Sequence, residues 1–284
     1  MIIHCMIEYK VKYFKYNIEE LRQEYIKEGY TKANAIAKVC QDLILYEISK
    51  SPYYKNITIK GGVVIHSLSK NKRRATQDID LDFIKYSLED KSIKNFISKL
   101  NDNNDGIQFT VEGKIEYLHH QDYNGKRINI IVKDIYNNIM RTKLDIGVHN
   151  NFDLAQEEYC FCFNEINTSA KLFINSTEQI LLEKLKSLLK FGVLTTRYKD
   201  IFDIYFLINN TNINNDKINR YLKDIIYNDK LLNINNINDI INKLNFIFKN
   251  NKFINNIQNA KNNWLEIQID DVLSNIFIFF NNLR

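Results

Sequence analysis

The chain has almost no proline and little glycine: Pro52 stands alone, and eight glycines are spread over 284 residues. That leaves little material for a flexible linker between domains. The stretch 209–263 is rich in Asn and is the one candidate for low complexity, yet its Ile237, Ile240, Ile241, Leu244 and Phe248 recur at helical spacing, so it reads as helices with Asn on the wet face. Long hydrophobic runs are also missing. No uncharged apolar stretch approaches the ~18 residues of a membrane span, and Ile276–Phe280 reads as part of a packed terminal helix. The opening Met1–Glu8 lacks the basic leader, apolar core and small-residue cleavage site of a signal peptide, so the expected location is the cytoplasm. The four cysteines, Cys5, Cys40, Cys160 and Cys162, include no C-x-x-C pair. The C-x-C spacing suits strand neighbours rather than a zinc knuckle, and buried free thiols are expected. There is no excess of one charge either. With 39 basic and 34 acidic residues the net charge of +5 does not demand a nucleic-acid partner but is compatible with a phosphate-bearing one.

What the chain does have is Asn, Ile, Lys and Tyr, the usage of an AT-rich genome, and a hydrophobic content of 45%, enough for a buried core and two lobes. The pattern is helical from Asn17 to Ser49, broken near Gly29 and restarted at Thr31, and it ends before Pro52. Ile57–Ile59 reads as a short strand, Gly61-Gly62 as a turn, and Val63–Leu68 as a helix. Asp78–Ile84 reads as a strand and Ser92–Leu100 as a helix. Further strands are expected at Ile107–Tyr117, Arg127–Val132, Thr142–Val148 and Tyr159–Phe163. Ser176 opens a helix through Phe191, with Gln179 at capping-box spacing, and everything from Arg197 onward reads helical. The expected fold is therefore α+β: an N-terminal lobe with a mixed sheet and flanking helices over 1–172, and an all-helical lobe over 173–284.

The most specific chemistry lies in Lys60–Phe83. Strand, glycine turn and helix form a phosphate-cradling arrangement, because glycine lets the backbone approach and the helix start offers free N–H groups. Downstream, Asp78-Ile79-Asp80-Leu81-Asp82 alternates, so Asp78 and Asp80 point to one side of a strand, where both carboxylates can meet one divalent cation. Asp145, in the strand Thr142–Val148, is a third candidate, since a buried carboxylate without a partner is costly. Three such acids suit two Mg²⁺ ions that activate a hydroxyl and hold a triphosphate. Asp82 is given a supporting role.

These residues carry a resemblance. Lys60-Gly61-Gly62 followed by Arg73–Phe83 resembles the first motif of the AbiEii/AbiGii toxin family, nucleotidyltransferases of the DNA polymerase β superfamily. Leu144-Asp145-Ile146 matches its third carboxylate, Ser176–Leu185 is similar to its helix with an essential lysine, and Arg197–Tyr205 resembles its final DxxD-type helix. The resemblance implies a nucleotidyltransferase-like N-terminal lobe, and an Mg²⁺-dependent toxin of a toxin–antitoxin or phage-defence system that moves a nucleotide from an NTP to an acceptor, foremost RNA such as tRNA. It implies catalytic roles for Asp78, Asp80, Asp145, Lys184 and Asp200, with Asp203 nearby. Nucleotide contacts fall to Lys60, Gly61, Gly62, Arg74, Thr76 and Lys184, and the partners expected are an NTP and a cognate antitoxin. Where the family has Ser-Glu before the first acid, this chain has Thr76-Gln77, which keeps the hydroxyl and loses a negative charge.

Bland alternatives stand beside these readings. Lys184 sits on an amphipathic helix where a solvated lysine is ordinary, and Asp200 suits an ion pair with Arg197. Lys70, Lys72, Arg73 and Arg74 form a basic loop that either meets phosphates or is simply solvated. His119 and His120 are adjacent and so point to opposite faces of a strand, which disfavours a shared metal. A protein hydroxyl as acceptor and a catalytically idle binding module remain as other readings of the same site.

Overall fold

The computed structural model of the chain describes residues 16–103, 106–118, 125–149 and 154–283. The first helices begin where capping residues stand. Helix α1 (Ile18–Lys27) opens on Asn17, whose side chain accepts from the Glu19 and Glu20 amides, and α2 (Lys32–Lys50) opens on Thr31, whose hydroxyl accepts from the Asn34 amide. Each cap satisfies N–H groups that have no partner inside the helix. Strand β1 (Ile57–Lys60) runs directly into α3 (Gly61–Ser69), so this helix starts at the glycines themselves. Strand β2 (Asp78–Phe83) returns antiparallel to β1.

After α4 (Asp90–Lys99) comes a meander, β3 (Ile107–Leu118), β4 (Gly125–Asp134) and β5 (Ile139–Val148), followed by a hairpin, β6 (Gln156–Phe163) and β7 (Thr168–Asn175). Together they form a seven-stranded sheet in the order β3-β4-β5-β2-β1-β7-β6. The sheet is mixed, with β2 parallel to β5 and β1 parallel to β7. Register aligns Ile59, Leu81 and Ile146, all fully buried, so one face at the centre of the sheet is apolar. Strand alternation then turns Lys60, Asp80 and Asp145 to the opposite face. Helix α2, buried along Val39, Leu43, Ile44 and Ile48, packs on β5 and β7.

The described chain beyond β7 is helical: α5 (Thr177–Phe191), α6 (Tyr198–Asn210), α7 (Asn215–Leu222) with a π-helical turn (Lys223–Tyr227), α8 (Ile237–Phe248), α9 (Asn251–Asn259) and α10 (Ile269–Asn281). The Ser176 hydroxyl accepts from the Gln179 amide at 3.3 Å, as the sequence spacing requires. Leu181, Leu182, Leu185 and Leu188 of α5 are buried, and α5 packs on α6, which in turn meets α10. The expectation that the chain reads helical from Arg197 is met by separate helices, divided at 211–214, 228–236, 249–250 and 260–268. Asparagine is part of the reason. Asn214, Asn236 and Asn250 cap α7, α8 and α9 with their side chains, an arrangement that ends one helical run and starts the next.

The expected burial of the cysteines holds only for Cys40, whose thiol burial pushes up to about 12. Cys160 and Cys162 are exposed, because β6 is an edge strand whose other alternation, Phe161 and Phe163, faces the core. Cys5, His119 and His120 lie outside the described residues. Among the described residues, no helix is long and apolar enough to cross a membrane.

Candidate active site

The polar face of the sheet carries a row of charges fixed by strand register. Lys60 of β1 pairs with Asp80 of β2, Asp80 with Asp145 of β5, and Asp145 with Arg127 of β4. Neighbours in register sit one strand spacing apart, roughly 4.8 Å, so each carboxylate has a cation on its outer side. Asp78 lies two residues from Asp80 at the exposed end of β2. Burial pushes Asp80 up to about 6; Lys60 opposes the shift, and Asp145 and Asp78 reinforce it.

The glycine turn fits against this row. Gly61 has φ +65°, and a Cβ there would stand 2.5 Å from Oδ2 of Asp80. Only glycine allows both the backbone angle and the approach. At Gly62 a Cβ would meet Oγ1 of Thr76 at 2.8 Å. The turn is thus shaped around Asp80 and Thr76, and the N–H groups at the start of α3 lie beside them.

Asp145 is not free. Arg127 holds it with two hydrogen bonds of 2.7 Å, one to each oxygen, and its own pKa is raised by that hydrogen bonding. Among the described residues no group of three or more His, Cys, Asp or Glu side chains converges to hold a metal ion. The donor set of Asp78, Asp80 and Asp145 still fits a hard divalent cation, being all oxygen and crowded with like charge. What it lacks is convergence, since both oxygens of Asp145 are turned to Arg127.

Helices α5 and α6 supply the second wall. Lys184 is buried, with Nζ 2.6 Å from Asp200 and 2.7 Å from Asp203. Burial works against the ammonium, but Asp200 and Asp203 outweigh it and raise the Lys184 pKa. Burial would raise Asp200 as well, yet Lys184 and Arg197, the latter at 2.7 Å, hold it down at about 2. Lys184 bears electrostatically on Asp80, and Asp80 on Arg197, so the helical wall faces the carboxylate row. Asp203 is wholly buried and serves as a hub. It accepts from Arg74 at 2.5 and 2.6 Å and from the Trp264 indole at 3.1 Å, besides its pair with Lys184.

Two residues expected to contact the nucleotide have buried carboxylate partners. Arg74 is buried, and its Nε and Nη2 hold Asp203, which ties α6 to the turn that precedes β2. Lys60 is equally buried and lies 2.6 Å from Asp82, giving Asp82 a defined partner and leaving the Lys60 charge as an electrostatic neighbour of Asp80. Lys184 is no solvated lysine, and Asp203 is more central than its place in the motif suggested. Arg127 and Trp264 were not singled out from the sequence. Arg127 carried a faint signal, an arginine opening an apolar strand, but its pairing with Asp145 depends on register.

A mixed sheet carries a DxD strand beside a glycine turn, a third acid lies one strand away, and a buried lysine is clamped from a helical wall, an arrangement consistent with a nucleotidyltransferase fold. The chain matches the model of the nucleotidyl transferase AbiEii toxin, type IV toxin–antitoxin system, over residues 43–264, and it belongs to that family. It is also similar to the solved structure of an antigenic nucleotidyltransferase-like protein from Paracoccidioides brasiliensis, at 15% identity and a TM-score of 0.45, over 80% of this chain and 92% of that one. None of the curated proteins matches the chain.

Proposed function

We propose that this nucleotidyltransferase uses Mg²⁺ to transfer a nucleotide from an NTP to an RNA acceptor, tRNA foremost, and that it acts in the cytoplasm as the toxin opposite a cognate antitoxin. The observation that carries the reading is the register of Asp80 with Asp145 directly beside the Gly61-Gly62 turn. In it, Asp78, Asp80 and Asp145 would hold two divalent ions, which would supply the Lewis acidity that activates an acceptor hydroxyl and the charge that balances a triphosphate. The amides of Gly61 and Gly62 at the start of α3 and the Thr76 hydroxyl bind phosphate oxygens. Lys184, fixed by Asp200 and Asp203, offsets charge that develops on the transferred phosphoryl group. The acceptor hydroxyl attacks the α-phosphorus, and pyrophosphate leaves. The division into a catalytic lobe, 1–172, and a helical lobe, 173–284, belongs to the same proposal, with β7 keeping residues up to Asn175 in the sheet.

The test is incubation of the purified protein with each labelled NTP, Mg²⁺ and total RNA, alongside Asp80→Ala. Label should enter RNA only with the wild type. Label that survives nuclease in a protein band assigns the acceptor to protein, and no transfer with any NTP to either acceptor defeats the proposal.

A further inference from the structure

Far from the carboxylate row, the edge strand β6 presents two thiols side by side. Cys160 and Cys162 are free and exposed, and strand alternation turns both to the face opposite Phe161 and Phe163. The strand that carries them is pinned from its other face. Phe161 and Phe163 are buried, and the Tyr159 hydroxyl donates to the Ser67 carbonyl at 3.1 Å. Along its inner edge, β6 keeps unbroken register with β7, from Gln156 opposite Asn175 to Phe163 opposite Thr168. The two thiols therefore stand at a fixed separation on an ordered strand.

That separation decides what the pair can do. Residues two apart in a strand lie about 6.7 Å from each other, whereas a disulfide needs Cβ atoms about 3.5–4.5 Å apart. Cys160 and Cys162 cannot close on each other while β6 stays in the sheet. A metal ion between them spans more. With metal–sulfur bonds of about 2.3 Å, a linear sulfur–metal–sulfur unit is ~4.6 Å across and the edge of a tetrahedral one ~3.8 Å. Strand side chains lean along the strand in either direction, and a lean of about 1 Å by each sulfur reaches the linear unit, against about 1.5 Å for the tetrahedral edge. The donor count agrees, since among the described residues no group of three or more His, Cys, Asp or Glu side chains converges here or elsewhere. Glu158, the next residue on that face, offers a hard oxygen that a soft cation passes over. Charge agrees as well. Two thiolates on a monovalent ion carry one net negative charge, and Lys171 of β7, exposed and directly across from Cys160, brings an ammonium to offset it. We infer that Cys160 and Cys162 chelate one soft monovalent d¹⁰ cation, Cu(I) by its chemistry, on the outer face of β6. Two thiol protons leave and two metal–sulfur bonds form, with no change of oxidation state.

The experiment is an anaerobic titration of the reduced protein with Cu(I) against a chromophoric Cu(I) chelator, on wild type, Cys160→Ser, Cys162→Ser, Lys171→Gln and Cys5→Ser. Proton release into a weak buffer is read alongside. Cys160, Cys162 and Lys171 are exposed, so their variants keep the fold, and urea midpoints check it. Wild type should bind one ion per chain and release two protons. Cys160→Ser and Cys162→Ser should each weaken binding on the order of 10²-fold, because losing a ligand costs at least what losing its outer-shell partner does. Lys171→Gln should weaken it by up to about fivefold, the worth of an exposed charge pair, and Cys5→Ser should leave it unchanged. Unchanged affinity in either Cys160→Ser or Cys162→Ser overturns the chelate, as does a wild type that binds no Cu(I). Zn²⁺ held as tightly as Cu(I) overturns the two-coordinate soft site. One ion per two chains, with doubled mass in sedimentation, overturns it too, because the metal would then lie between copies.

Discussion

Replacing Gly61 by alanine tests whether the glycine turn is shaped around a metal ligand. Two costs arise at this position. At φ +65° an L-residue is disfavoured by roughly 1–2 kcal/mol. The new Cβ would also stand 2.5 Å from Oδ2 and 3.3 Å from Cγ of Asp80. A comfortable carbon contact is about 3.5 Å, so the Asp80 carboxylate must retreat by about 1 Å. A displacement of that size in a reacting constellation costs on the order of 10²-fold in rate. Gly113→Ala is the control, because Gly113 has φ +73° in the β3 bulge with nothing within 4 Å of a Cβ. Both variants should lose about 1–2 kcal/mol from the backbone angle in urea denaturation, and Gly61→Ala about 1–3 kcal/mol more from the clash with Asp80. Only Gly61→Ala should lose transfer, about 10²-fold, with a raised Mg²⁺ requirement. If the two variants transfer label at the same rate while folded, the close packing of turn and carboxylate has no functional meaning and the reasoning fails.

Asp203→Ala leaves the Arg74 and Lys184 cations buried without their shared partner, so a stability loss of about 3–5 kcal/mol is expected in urea denaturation; a loss below about 1 kcal/mol would remove Asp203 from the role of hub. Arg127→Gln frees both oxygens of Asp145, and since this pair is partly exposed its worth is at most about 1 kcal/mol. Half-saturation by Mg²⁺ in a calorimetric titration should fall by up to about fivefold, and a rise would count against competition between arginine and metal. His66 is buried, with Nε2 3.0 Å from the Tyr30 hydroxyl, and burial followed by Lys38 and Arg74 lowers its pKa from 6.5 to about 3. The unfolded chain therefore takes up a proton below pH 6.5 that the folded chain refuses, and stability falls as pH drops from 6.5 toward 3. Between pH 6.5 and pH 5 the loss is about 2 kcal/mol, and His66→Gln should flatten that part of the urea-midpoint profile.

The sequence by itself determined the local structure and pointed to the candidate site residues. Alternation placed Asp78 and Asp80 on one side of β2, glycine marked the turn before α3, and Ser176, Thr31 and the apolar spacing of α5 set helix starts and buried faces, because these signals act within a few residues. The starts of α7, α8 and α9 were also written there as Asn caps. Partners distant in sequence were decided only by tertiary structure. Strand order and register set Asp145 between Asp80 and Arg127, and the docking of α6 gave Arg74 its buried partner Asp203. The Lys184 ammonium became a clamped charge by the same packing. Which ion pairs with which depends on burial and on where elements meet, and a linear pattern of residues holds no record of either.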